Sequence, residues 1–117
     1  MAQVTGKAII RVDGEEIPTE NGAKLNPGGV NRNPEAHGGN VYYREEDVAP
    51  ELTAQVMHTA DIDIKALGAI DNATVIFEAD TGQRYIMRGA FTTKPVELDA
   101  GNGRADLVMS ARACDKE

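Results

Sequence analysis

The sequence predicts a mainly β fold, an antiparallel β-sandwich or barrel with one short flanking α-helix, as a single domain over residues 1–117. Three observations predict it. Seven segments alternate apolar and polar residues at the period of a strand. Tight-turn signals separate several of them, and a single stretch carries helical spacing. A chain of 117 residues holds one apolar core and is too short to divide comfortably into two.

Residues 7–12 (KAIIRV) and 15–18 (EEIP) flank Asp13 and Gly14. Asp-Gly supplies the positive φ angles of a type I′ turn, so the two segments read as a hairpin. Residues 20–39 (ENGAKLNPGGVNRNPEAHGG) then offer only Leu25, Val30 and two alanines as apolar anchors. That composition predicts one long polar loop. Such loops are uncommon inside a domain and are either functional arms or disordered segments; the periodic strands on both sides favour an arm on a folded body.

Residues 40–46 (NVYYREE) and 51–58 (ELTAQVMH) read as a second antiparallel pair, turned around residues 47–50 (DVAP). In the later strand Leu52, Ala54 and Val56 share one face, and Glu51, Thr53, Gln55 and Met57 share the other. Residues 61–68 (DIDIKALG) carry the helical signal, about two turns, with Asp61 or Asp63 as cap and Gly68 near the stop. A third hairpin joins residues 72–79 and 83–93 across Asp80, Thr81 and Gly82. Strict alternation there puts Tyr85, Met87 and Phe91 on one face and Arg84, Ile86 and Arg88 on the other. The last strand, residues 104–112, sets Ala105, Leu107, Met109 and Ala111 against Asp106, Val108, Ser110 and Arg112. No internal repeat is present.

Aromatics make up 4% of the chain and there is no Trp, so the core must rest on aliphatic residues and Met. No apolar run reaches the ~18 residues of a membrane span, and residues 1–7 lack the basic start and apolar stretch of a signal peptide. The expectation is a cytosolic chain. The lone Cys114 lies in a polar C-terminal tail, excludes an intrachain disulfide and reads as an inert thiol. A net charge of −7 argues against binding nucleic acid through phosphates, which needs clustered Lys and Arg.

The parts for catalysis are nearly missing. Ser110 is the one serine, mid-strand and outside any G-x-S-x-G elbow, and neither His37 nor His58 has a partner set in sequence. Asp61 and Asp63 could suggest a hard metal, but the calcium-loop pattern is absent and helix capping explains them with less. Adjacent acids such as Glu15-Glu16 and Glu45-Glu46 point to opposite strand faces. The glycines of residues 26–29 (NPGG) and 37–39 (HGG) lack the Lys-Ser/Thr of a phosphate loop. The expectation is no catalytic residue, no metal and no cofactor.

Residues 6–14 (GKAIIRVDG), the polar loop leading into residues 39–45 (GNVYYRE), Pro50 before a strand, the helix at 61–67, the hairpin around residues 81–85 (TGQRY) and the closing strand at Asp106 and Leu107 follow in order. In order, spacing and total length they resemble the tail tube protein family of contractile-tailed bacteriophages, closest to its Mu-like branch. The resemblance spans nearly the whole chain. It implies a tail-tube-like β-sandwich assembling as hexameric rings that stack into a hollow tube, through which DNA is ejected without specific binding. It implies a place in the virion tail, after assembly in the host cytoplasm. The implied partners are further copies of the chain, the sheath outside, the tape measure protein inside, and baseplate and tail terminator proteins at the ends.

On that resemblance the polar loop becomes the ring-stacking element, through Asn21, Lys24, Asn26, Asn31, Arg32, Asn33, Glu35 and His37. The lumen wall is expected from Glu51, Thr53 and Gln55, with Glu78. A type VI secretion ring protein or a phage-tail-like bacteriocin would share the fold. The rival from another class is a monomeric ligand-binding sandwich, for which Tyr42 and Tyr43 are the aromatic case.

Overall fold

The computed structural model describes residues 6–20 and 22–117. Among them the chain forms β1 (Ala8–Val12), β2 (Glu15–Ile17), β3 (Lys24–Asn26), β4 (Gly29–His37), β5 (Asn40–Val48), β6 (Glu51–Met57), α1 (Ile64–Gly68), β7 (Ala73–Ala79), β8 (Arg84–Thr92), β9 (Glu97–Asp99), β10 (Arg104–Ser110) and β11 (Ala113–Lys116). All but β4 and β5 join one antiparallel sheet in the order β2-β1-β7-β8-β10-β6-β3, with β11 on β8 and β9 on β10.

That sheet folds over on itself. The edge of β8 facing away from β7 is shared, β11 taking residues 85–88 and the end of β10 taking residues 91–92. One layer is therefore β2-β1-β7-β8 with β11, and the other is β10-β6-β3 with β9. Their inner faces meet in a single core, where Ile10, Val75, Phe77 and Met87 pack with Leu52, Ala54, Val56, Leu107 and Met109. Each large aliphatic side chain buried in this way contributes about 1.5–3 kcal/mol. Asp13 and Gly14 take φ of 51° and 85° in the expected β1–β2 turn.

Where the layers join, β8 carries one extra residue: Val75 pairs with Met87, but Ala73 pairs with Ala90. Gly89 sits in this bulge at φ 63°, where a Cβ would lie 2.9 Å from Arg112 Cδ. Bulges make the corners at which a strand passes between sheets. The extra residue inverts the alternation, so Ala90 is fully buried and Phe91 is 39% exposed. The expected grouping of Phe91 with Met87 is thereby corrected.

The helix begins later than its sequence signal. Asp63 is the cap, its carboxylate accepting from the Lys65 N–H at 3.0 Å and the Ala66 N–H at 3.4 Å. Ile62, Leu67 and Ile70 press its inner side on the core, and the Thr92 hydroxyl donates to the Leu67 carbonyl at 2.6 Å.

Three further expectations are corrected. Residues 20–39 are not one loop, because they contain β3 and β4. The pairing of residues 40–46 with 51–58 does not occur: β5 pairs with β4, and β6 pairs with β10 and β3. The reason lies in the connections. Gly38 and Gly39 both hold positive φ and close a tight turn between β4 and β5, whereas Ala49 and the buried Pro50 carry the chain round a corner into β6. Finally, the polar tail is β11, and Cys114 pairs with Met87 inside it.

Candidate assembly surfaces

β4 and β5 form a two-stranded arm in which every residue from 29 to 47 is exposed except the half-buried Glu35. Opposed residues of an antiparallel pair share a face. Register puts Val30 with Asp47, Arg32 with Glu45, Pro34 with Tyr43 and Ala36 with Val41 on one side. The other side carries Asn31 with Glu46, Asn33 with Arg44, Glu35 with Tyr42 and His37 with Asn40. The outer half of the first side is apolar, with Val41 71% and Tyr43 61% exposed.

Side chains stiffen the arm across its strands. Arg44 Nε lies 2.8 Å from Glu35 and Arg32 Nε 3.6 Å from Glu45, while the Arg32 guanidinium lies 5.8 Å from the Tyr43 ring centroid. Exposed ion pairs contribute ~0–1 kcal/mol each, so they steer the hairpin more than they stabilise it. Its root is tighter. A Cβ on Gly28, which holds φ 80°, would meet the Val48 carbonyl oxygen at 2.8 Å and the Pro50 nitrogen at 2.9 Å.

The structure divides the expected ring-stacking set. Asn31, Arg32, Asn33, Glu35 and His37 stand on the arm, whereas Lys24 and Asn26 belong to β3 on the body, opposite Thr53 and Glu51. Asn21 lies outside the described residues. Sequence reasoning left out the second strand of the arm, with Val41, Tyr43, Glu46 and Asp47; the Gly38-Gly39 pair was the signal for it.

Glu51, Thr53 and Gln55 share the outer face of β6, as the alternation predicts. Asp106 and Val108 of β10 extend that face, with the Gln55 amide donating to Asp106 at 3.3 Å, and Glu97 of β9 stands opposite Asp106. Glu78 lies on the other layer's outer face, with Arg11 Nη1 at 2.6 Å and Arg84 Nε at 3.9 Å. The two outer faces point away from each other, so Glu78 is separated from the other three.

Two grooves flank α1. One, of about 580 Å³, runs between the helix residues Ile64, Lys65 and Gly68, with Ala69 just past the helix end, and residues 92–96. The other, of about 330 Å³, is bordered by Asp13, Glu15, Glu16, Asp61 and Asp63 over Val12, Ile17 and Ile62. Among the described residues no group of three or more His, Cys, Asp or Glu side chains converges as a metal site. Ser110 donates its hydroxyl to the Pro50 carbonyl at 2.7 Å, which ties β10 to the corner before β6. His58 is exposed, and His37 lies 4.0 Å from Glu35 at the arm's end. Burial, and secondarily the adjacent Asp115, pushes the Cys114 thiol above the ordinary cysteine range.

The family described as phage tail tube protein matches residues 1–116. The chain is 37% identical over 115 residues to the Mu-like prophage FluMu tail tube protein of Haemophilus influenzae, covering 97% of this chain and 96% of that one. It is 30% identical over 111 residues to the tail tube protein of Escherichia phage Mu, covering 94% and 92%. Among solved structures it resembles the tube-terminating cap of the anti-feeding prophage, with a TM-score of 0.68 at 13% identity over 97% of this chain and 89% of that one. It also resembles a chain of the extended sheath-tube complex of an extracellular contractile injection system, with a TM-score of 0.67 at 14% identity, covering 100% and 91%. At such identities the likeness is one of fold.

Proposed function

This chain belongs to the phage tail tube protein family, and from that membership we propose that it builds the inner tube of a contractile tail as stacked hexameric rings through which DNA is ejected. The observation that carries the reading is the arm, a long hairpin with no core of its own, whose exposed apolar residues need a partner. Rings stack through it. Its exposed Asn31, Arg32, Asn33 and His37 and the half-buried Glu35 belong to that contact, together with the Val41 and Tyr43 side.

The lumen wall in this reading is the outer face of β6, with Glu51, Thr53 and Gln55, extended by Asp106 and Glu97. Glu78, on the opposite layer and engaged with Arg11, belongs to the outside. Two like unit charges about 10 Å apart repel by about 0.4 kcal/mol in water. A repeated acidic wall of that strength keeps phosphates from adhering without blocking their passage. The role is structural and uses no catalysis.

The sheath outside, a tape measure protein within, and baseplate and terminator proteins at the ends complete the proposed partners. The subunit assembles in the host cytoplasm and ends in the virion tail. Both curated relatives are from Mu or a Mu-like prophage, which favours a phage tail over another injection machine. Negative-stain microscopy of the concentrated protein tests the assembly: rings or tubes of uniform width are expected, and a strictly monomeric species even with tail partners present would refute it. For the wall, Glu51→Lys is expected to leave tubes intact and slow DNA delivery. Unchanged delivery would remove Glu51 from the lumen.

A further inference from the structure

We propose that the groove between α1 and residues 92–96 is the socket for the arm of a second copy of this chain, which enters with its Val41 and Tyr43 side facing the groove. The inference rests on the stacking reading and supplies what that reading lacks, a receiving surface.

Two complementary surfaces carry it. The arm's outer half bears Pro34, Ala36, Val41 and Tyr43 on one side, and none of them joins the core cluster of its own chain. The groove is lined by Ile64, Ala69, Pro95 and Val96, and its volume of about 580 Å³ falls in the range that accepts aromatic ligands.

Charge selects the match. Lys65 and Lys94 border this groove, both exposed, and among the described residues neither belongs to an ion pair. The arm carries two guanidinium groups, Arg32 and Arg44, against four carboxylates. Two of those carboxylates, Glu46 and Asp47, are likewise outside every ion pair among the described residues. Asp47 stands on the apolar side, four residues or about 13 Å from Tyr43 along a strand. An arm seated with that side toward the groove therefore turns the unpaired Asp47 toward the unpaired lysines, while Glu46 stands on the other side. The second groove beside α1 is rimmed by carboxylates and repels the same arm. Opposite charge steers the encounter, while the apolar contact holds it.

Cross-linking in tubes of the full chain tests the pairing. In a Cys114→Ser background, Val41→Cys and Ala69→Cys chains are purified separately, mixed, assembled and oxidised. A disulfide-linked heterodimer is expected, and none is expected when Ile86→Cys, on the opposite layer, replaces Ala69→Cys. Lys65→Glu with Lys94→Glu should lower tube yield about tenfold or more, equivalent to at least ~1.4 kcal/mol of contact. Adding Asp47→Lys should restore much of it. Circular dichroism of each monomer checks that these surface changes leave the fold intact.

Absence of the heterodimer in tubes that still form, or parent-like yield from the double lysine variant, overturns the socket. A chain whose residues 31–46 are replaced by a tight turn separates the two claims. If that chain still makes tubes of parental length, the stacking reading falls and takes the socket with it. If it stops at single rings while the lysine variant assembles normally, only the socket falls.

Discussion

Leu107 and Thr53 face opposite ways across the same layer, and the contrast sets what their loss should do. Leu107 is 1% exposed at the seam of the two layers, so Leu107→Ala removes packing atoms and leaves a cavity. The expected loss is about 2–5 kcal/mol, read as a lower urea midpoint at unchanged slope. Thr53→Ala, on the exposed side of β6, should stay within about 0.5 kcal/mol of the parent. Both placements were legible in the sequence, because the alternation of residues 51–57 and of residues 104–112 names each face directly. Phe91 was not legible, since one extra residue at Gly89 inverts the pattern and no side chain announces it. Cys114 gives a pH-dependent test. Its thiol is raised in the fold, so its stabilising contribution is full below the ordinary cysteine range and is lost as pH rises through the raised value. Alkylation of the native protein should accordingly need a higher pH than that of the unfolded chain, followed by ultraviolet thiolate absorbance. Equal titration curves would refute the assignment.

The arm and the body obey different physics. Two strands without a third, or a helix to pack on, are marginally stable, and the side chains that brace this hairpin make weak ion pairs, the Arg32 contact with Tyr43 and a tilted ring contact between His37 and Tyr42. In the free subunit its amides should exchange with solvent orders of magnitude faster than those of β6 and β10, which open only with the core. Equal protection in hydrogen exchange would contradict this. The root should behave otherwise. Gly28→Ala drives a Cβ into the Val48 and Pro50 backbone, at a cost of about 1–3 kcal/mol, and protease sensitivity should rise at the arm first. Sequence reasoning found the position of this element but not its nature. β4 reads GVNRNPEAH, with no alternating apolar face and a proline inside, so a periodicity test sees loop. Its pairing is dictated by the Gly38-Gly39 turn, a backbone signal that hydropathy does not register.

At the scale of the molecule, the strand order couples segments far apart in the chain. β1 lies beside β7, and β6 beside β10, across long intervening stretches. Such pairings close large loops before they gain stability, so refolding should fall in the millisecond-to-second range typical of all-β topologies. A microsecond phase carrying the full amplitude in stopped-flow fluorescence of the tyrosines would contradict that. The alternation predicted the sandwich and the caps predicted its helix, but neither could give the layer order or separate Glu78 from Glu51. Those depend on which edges meet, a property of the whole sheet. The arm, finally, makes the molecule directional: it leaves the body at one root, beside Gly28 and Val48, and among the described residues nothing in the strand order mirrors it elsewhere. A polymer joined through the arm therefore has a head and a tail. One end presents free projections and the other vacant seats, so growth at the two ends proceeds by different chemistry, and a protein that caps one end has nothing to grip at the other.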